Sequence, residues 1–98
     1  MEKLEVVLNN GTGEIQLFSD DQKAGKMDIE VADDRLIVYH TEVNPEHEGK
    51  GFARLLLDRL VSYARENHLR VVPLCPYVHT QFKRKPEVYQ DVWHPSRQ

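Results

Sequence analysis

At Gly51 the spacing of apolar side chains changes. Upstream they fall mostly at alternate positions, as in Leu4-Glu5-Val6 and Ile15-Gln16-Leu17, whereas downstream Phe52, Leu55, Leu56, Leu60, Tyr63 and Ala64 recur every three or four residues. A period of two lays one face of a strand on a core, and a period of 3.6 lays one stripe of a helix there. A further apolar run, Arg70 to Cys75, follows the helix. A strand, a helix of about sixteen residues and another strand make a right-handed crossover, so the two flanking strands are expected side by side and parallel.

The residues before the switch read as a meander. Strands are expected near Leu4 to Asn9, Glu14 to Ser19, Lys26 to Val31 and Arg35 to Val43, with turns at Asn9-Asn10-Gly11, Asp20-Asp21 and Asp33-Asp34. Asn, Asp and Gly tolerate the positive φ that tight hairpins need. The fourth strand opens on Leu36-Ile37-Val38-Tyr39, a run expected to be covered on both faces. Asn44-Pro45 ends it, since proline fixes φ and lacks a donor. The helix should close at Asn67-His68, with Asn a common residue where a helix turns left-handed. Pro76 suits the first turn of a last helix near Tyr77 to Lys83, bounded by Pro86, and Val88, Tyr89, Val92 and Trp93 offer a final apolar patch. The expectation is an α+β fold in one domain, residues 1–98, with a mixed, mainly antiparallel sheet, a strand-helix-strand core and a short C-terminal helix.

Charge and cysteine content narrow the partners. The formal charge is −3, which supplies no general positive field for nucleic acid. The single cysteine, Cys75, forms no intramolecular disulfide, and the N-terminus does not resemble a signal peptide. No apolar run nears the roughly 18 residues of a membrane span. The expected setting is the cytoplasm, without nucleic-acid or membrane partners. His47, His68, His79 and His94 lack the spacing of a zinc site, so no metal is expected.

Between the fourth strand and the helix lies Glu48-Gly49-Lys50-Gly51-Phe52-Ala53-Arg54. A helix N-terminus carries unpaired N–H groups and a partial positive charge, and glycines let the main chain approach a phosphate closely. Lys50 and Arg54 add charge. The segment is neither a P-loop nor a dinucleotide fingerprint, because the Gly-Lys-Ser/Thr ending and the third glycine are missing. The plainer reading is a tight turn that admits the chain to a helix. Glu46 and Glu48 would repel a phosphate unless they point outward.

Cys75 falls between a strand and a helix start, where the helix field stabilises a thiolate and equips it to accept an acyl group. The alternative is a buried cysteine acting as a small hydrophobe. His40, on the fourth strand, is a candidate general base for a thiol or an amine, and alternation sets Glu42 on its face. Thr41 and Glu42 are weaker candidates.

The order strand, Val43-Asn44-Pro45, Glu46-x-x-Gly49-x-Gly51-x-Ala53, amphipathic helix and strand resembles the acetyl-CoA-binding core of the GNAT N-acetyltransferases, although Glu46 stands where that family has Gln or Arg. The blocks Tyr39-His40-Thr41-Glu42-Val43, Gly49-Lys50-Gly51-Phe52-Ala53 and Pro73-Leu74-Cys75-Pro76-Tyr77-Val78 are similar to small GNAT-like proteins of the YjdJ type. The resemblance implies acetyl-CoA as cosubstrate and an amine acceptor of unspecified identity. It implies cofactor binding by Val43, Glu48, Gly49, Lys50, Gly51, Phe52, Ala53 and Arg54, and chemistry at Cys75 with His40. It also implies that the fourth and fifth strands splay to admit the pantetheine arm. The basic run Lys83-Arg84-Lys85 is a solvated helix face or a contact for the nucleotide end of CoA. A CoA-binding module without catalysis and a non-catalytic interaction domain are the competing functions.

Overall fold

Asn10 and Gly11, with φ of +55° and +85°, close the first hairpin of the computed structural model, which describes residues 1–95. Residues 96–98 of the expected domain lie outside the described residues. The hairpin joins β1 (Glu2–Asn9) to β2 (Thr12–Ser19); β3 (Gln22–Ala32) and β4 (Arg35–Val43) continue the antiparallel meander. Asp20, Asp21 and Asp33 also take positive φ in the connecting turns, the conformation for which short polar residues were expected there. A short 3-10 turn, Pro45–His47, leads to α1 (Phe52–Glu66), and β5 (Arg70–Pro73) returns parallel to β4. The chain ends in α2 (Pro76–Arg84) and α3 (Pro86–Tyr89). Sheet order follows chain order, β1 to β5. The mixed sheet and the parallel crossover are as the periodicity predicts.

One face of the sheet carries the core. Ile15, Leu17, Met27, Ile29, Leu36 and Val38 are buried there against Leu56, Leu57 and Leu60 of α1 and Val78 and Phe82 of α2. Leu57 and Val61 extend the α1 stripe beyond the residues singled out by spacing, because helices on a broad sheet bury more than a narrow seam. Phe82 stacks on Tyr89 at 4.7 Å and meets Trp93 edge-on at 5.6 Å. Trp93 also bridges to Val71, covering the free edge of β5.

Four expectations are corrected. The fourth strand is covered on one face only, with Tyr39 46% exposed on the other, since the helices pack against the same side. The left-handed residue after α1 is His68, with φ of +55°, while Asn67 donates its side-chain amide to the Tyr63 carbonyl at 2.9 Å. The fifth strand stops at Pro73, because Leu74 and Cys75 leave the sheet to start α2. Pro86 opens a further helical turn rather than only bounding α2, and Val88 stays exposed there.

Candidate functional site

The end of β4 is pinned before the loop begins. The Asn44 side-chain amide donates to the Lys23 carbonyl at 2.9 Å and its main-chain N–H to the Ala24 carbonyl at 2.8 Å. Two tight hydrogen bonds, His47 N–H to Asn44 and Glu48 N–H to Pro45, then turn the chain towards α1. Gly49 and Gly51 take φ of +82° and +76°, and a Cβ on either would meet nothing within 4 Å. Glycine is thus required by backbone conformation and not by crowding, and the space in front of both stays open.

The loop leaves donors without acceptors. Leu55 N–H bonds the Gly51 carbonyl at 3.3 Å, but among the described residues the N–H groups from Gly49 to Arg54 have no main-chain acceptor. Four of these residues, Gly49, Gly51, Phe52 and Ala53, border a cavity of about 290 Å³ that Val43, His47 and Glu48 also line. Six of the eight residues expected around the cofactor therefore meet at one cavity. Phe52 is buried, so its main-chain N–H is what it can offer. Lys50 and Arg54 are exposed outside that lining: Lys50 Nζ lies 3.4 Å from His47 Nδ1, and Arg54 donates Nε–H to Asp58 at 3.1 Å. That bond to Asp58 raises the Arg54 pKa further. Glu46 and Glu48 are both exposed, but Glu48 also lines the cavity, so its carboxylate stands against an anion there and main-chain N–H groups must outweigh it.

His47 was not singled out by the sequence as a member of this site. Its ring packs against Phe52 at 5.5 Å and its Nε2 is buried without a hydrogen-bond partner among the described residues. The Glu46 carboxylate 3.6 Å away is near enough for an ion pair but too far for a hydrogen bond. A histidine beside the glycines was the available signal, masked by the search for metal-ligand spacing.

Cys75 is 2% exposed and occupies the position before α2. Its N–H bonds the Val38 carbonyl at 3.0 Å, its carbonyl accepts from His79 N–H at 3.0 Å, and its Sγ lies 3.1 Å from Thr41 Oγ1. Pairing of β4 with β5 ends at Val38 and Pro73, while β4 runs on to Val43, so the two strands part beside Cys75 and Thr41.

His40 is on the other side of the sheet. Ile29 pairs with Val38 and Asp28 with His40, which makes Tyr39 the extra residue of a bulge and turns both Tyr39 and His40 to the open face. There His40 Nε2 lies 4.0 Å from Glu42 Oε1, as alternation predicts for that pair. Thr41, returned to the core side, is the side-chain partner of Cys75. The expected Cys75 and His40 couple is thus not brought together as a thiol and its base. Among the described residues no group of three or more His, Cys, Asp or Glu side chains is placed to share a metal ion, and no helix is long and apolar enough to cross a membrane.

A family model described as GCN5-related N-acetyl-transferase matches residues 14–92, which take in most of β2, all of β3 to β5, the glycine loop and Cys75. The chain belongs to this acetyltransferase family. Similar solved structures share its fold. A GCN5-like putative N-acetyltransferase from Staphylococcus aureus is 24% identical, with a TM-score of 0.65 over 93% of this chain and 86% of that one. The ribosomal-protein-alanine N-acetyltransferase of Brucella melitensis is 21% identical, with a TM-score of 0.65 over 87% of this chain. The ribosomal-protein-S18-alanine N-acetyltransferase of Escherichia coli is 18% identical, with a TM-score of 0.63 over 67% of this chain. The chain spans 63% of the Brucella protein and 43% of the Escherichia coli protein. No protein of curated function matches the sequence.

Proposed function

We propose that this protein transfers the acetyl group of acetyl-CoA to an amine, as a small GNAT of the YjdJ type. The observation that carries the reading is the row of unpaired N–H groups around the open cavity at Gly49 and Gly51, at the start of α1. Those donors and the helix field suit a pyrophosphate, with Lys50 and Arg54 adding charge from the rim. The parting of β4 from β5 gives an extended arm a way from the loop towards Cys75 and Thr41.

In direct transfer, a neutral acceptor amine attacks the thioester carbonyl. The C–N bond forms, the C–S bond breaks, and the proton lost by nitrogen balances the thiolate that leaves. In this reading His40, exposed on the open face beside Glu42, takes its proton from the amine rather than from the Cys75 thiol, which lies on the core side. In the covalent variant the Cys75 thiolate takes the acetyl group, releasing CoA thiol, and the amine then regenerates the free thiol. A reducing cytoplasm is the proposed setting, where Cys75 persists as a thiol.

Thermal unfolding with acetyl-CoA tests the reading. Ligand at a hundredfold excess over Kd should add about 2.7 kcal/mol and raise Tm by roughly ten degrees. No shift at millimolar acetyl-CoA would leave a non-catalytic interaction domain; a shift without turnover on any amine would leave a CoA-binding module. Intact mass after incubation separates the two routes, since an acetyl adduct lost in Cys75→Ala supports the covalent one.

A further inference from the structure

The two edges of the sheet differ. At β5 the C-terminal segment covers the outer edge: Val71 N–H bonds the Val92 carbonyl, and His94 N–H bonds the Val71 carbonyl at 2.9 Å. Among the described residues no strand pairs with the outer edge of β1. Apart from Lys3 and Glu5, β1 carries nothing that blunts an edge. It is eight residues long, holds no proline, and pairs with β2 without a bulge from Glu2 with Ser19 to Asn9 with Thr12. Antiparallel pairs alternate between bonded and non-bonded positions. The Asp20 N–H bonds the Met1 carbonyl at 3.2 Å, so Lys3, Glu5, Val7 and Asn9 also turn their main-chain groups to β2. Glu2, Leu4, Val6 and Leu8 therefore point their N–H and C=O groups outward. The side chains of Leu4, Val6 and Leu8 lie on the core face but are only half-buried, since α1 packs on β2, β3 and β4.

We propose that β1 pairs antiparallel with β1 of a second copy of this chain, about a two-fold axis at Val6, joining two five-stranded sheets into one. This register brings outward-pointing residues together at the bonded positions. It matches the apolar stripes, setting Leu4 of each copy against Leu8 of the other and Val6 against Val6. On the open face Lys3 meets Asn9 and Glu5 meets Val7, so no like charges stand opposite each other. The neighbouring registers are worse. A centre at Glu5 sets two carboxylates face to face. A centre at Val7 runs Leu4 against Asn10 of the turn. A centre at Leu4 pairs Lys3 with Glu5, but it sets Glu2 against Val6 and leaves Leu8 without a partner, and exposed ion pairs contribute less than the apolar burial they would replace. Because the same strand serves both copies, the contact closes at two. It lies at the opposite edge from β5, so the gap between β4 and β5 stays uncovered in each copy.

The test is sedimentation equilibrium of the full chain over roughly 5 to 500 µM, a range that covers weak association. The wild type should pass from the mass of one 11.5 kDa chain to twice that mass, and its Tm should rise with protein concentration. Val6→Pro removes an outward N–H and no bond to β2, so it should keep the strand signal in far-UV circular dichroism and stay at single-chain mass. Val6→Lys, which opposes two ammonium groups at the axis, should do the same. Leu4→Glu and Leu8→Lys should each be monomeric, and the double variant should recover the twofold mass. These two residues meet only across the axis, since within one strand they stand roughly 13 Å apart. A single-chain wild type at every concentration overturns the proposal, as does a dimer that survives both Val6 substitutions. Growth beyond two copies overturns it too, and a folded double variant that stays monomeric overturns the register.

Discussion

Gly51 does two things at one position: its φ of +76° starts α1 at the right angle, and its missing side chain keeps the loop amides open. Gly51→Ala should therefore destabilise the fold by about 1 kcal/mol, the cost of a left-handed L-residue. The same change should weaken acetyl-CoA binding by more than that loss accounts for, and calorimetric titration beside thermal melts separates the two. Lys50→Ala should behave differently. Its ammonium is exposed and its nearest polar side-chain neighbour is His47. Its loss should cost roughly threefold in affinity, an effect that fades as salt is raised past about 0.5 M. A larger and salt-independent loss would mean that Lys50 sits on the phosphate directly. At this scale the glycines and the thiol were legible, because residue type and position between elements carry their chemistry. His47 and the bond from Thr41 to Cys75 were not, since both depend on which face of a turn or strand a side chain takes.

At the scale of the element, α1 is the piece that joins core to site. Leu56 is fully buried against the sheet, and Leu56→Ala should cost about 2–5 kcal/mol, depending on how far the gap closes, as read by urea unfolding. On the opposite face, β2 and β3 are tied by Glu14 with Lys23 and Lys26. The hydrogen bond from Lys23 is the main cause that holds the Glu14 carboxyl down at about 2 from 4.5. A carboxyl whose folded value is depressed contributes stability that is fully present above its unfolded value and is lost as pH falls through the folded one. The Glu14 contribution should thus be complete above roughly pH 5 and fade towards pH 2. Glu14→Gln should lower stability by about 1 kcal/mol at neutral pH, and the gap from the wild type should close on acidification. A gap unchanged at pH 2.5 would show that shape and not charge ties the strands.

For the whole molecule, the sheet has helices on one face and solvent on the other. The glycine loop lies at the start of α1, and the far face of β4 is left open. Acetyl-CoA bridging the loop and the parting strands would bind only the folded chain, so the Tm shift should scale with ligand concentration rather than saturate at one equivalent.

The sequence by itself determined the element order, the parallel crossover and the place of the glycine loop, because those follow from local periodicity and from backbone conformations that only a few residues adopt. The tertiary structure alone decided which face each strand residue takes. Alternation from Leu36 and Val38 would carry His40 to the core side, beside Cys75. A single extra residue, Tyr39, reverses that assignment through the bulge and sends Thr41 inward in its place. Such a bulge is set by how β4 pairs with β3, a long-range match of backbone hydrogen bonds that no local pattern in either strand specifies.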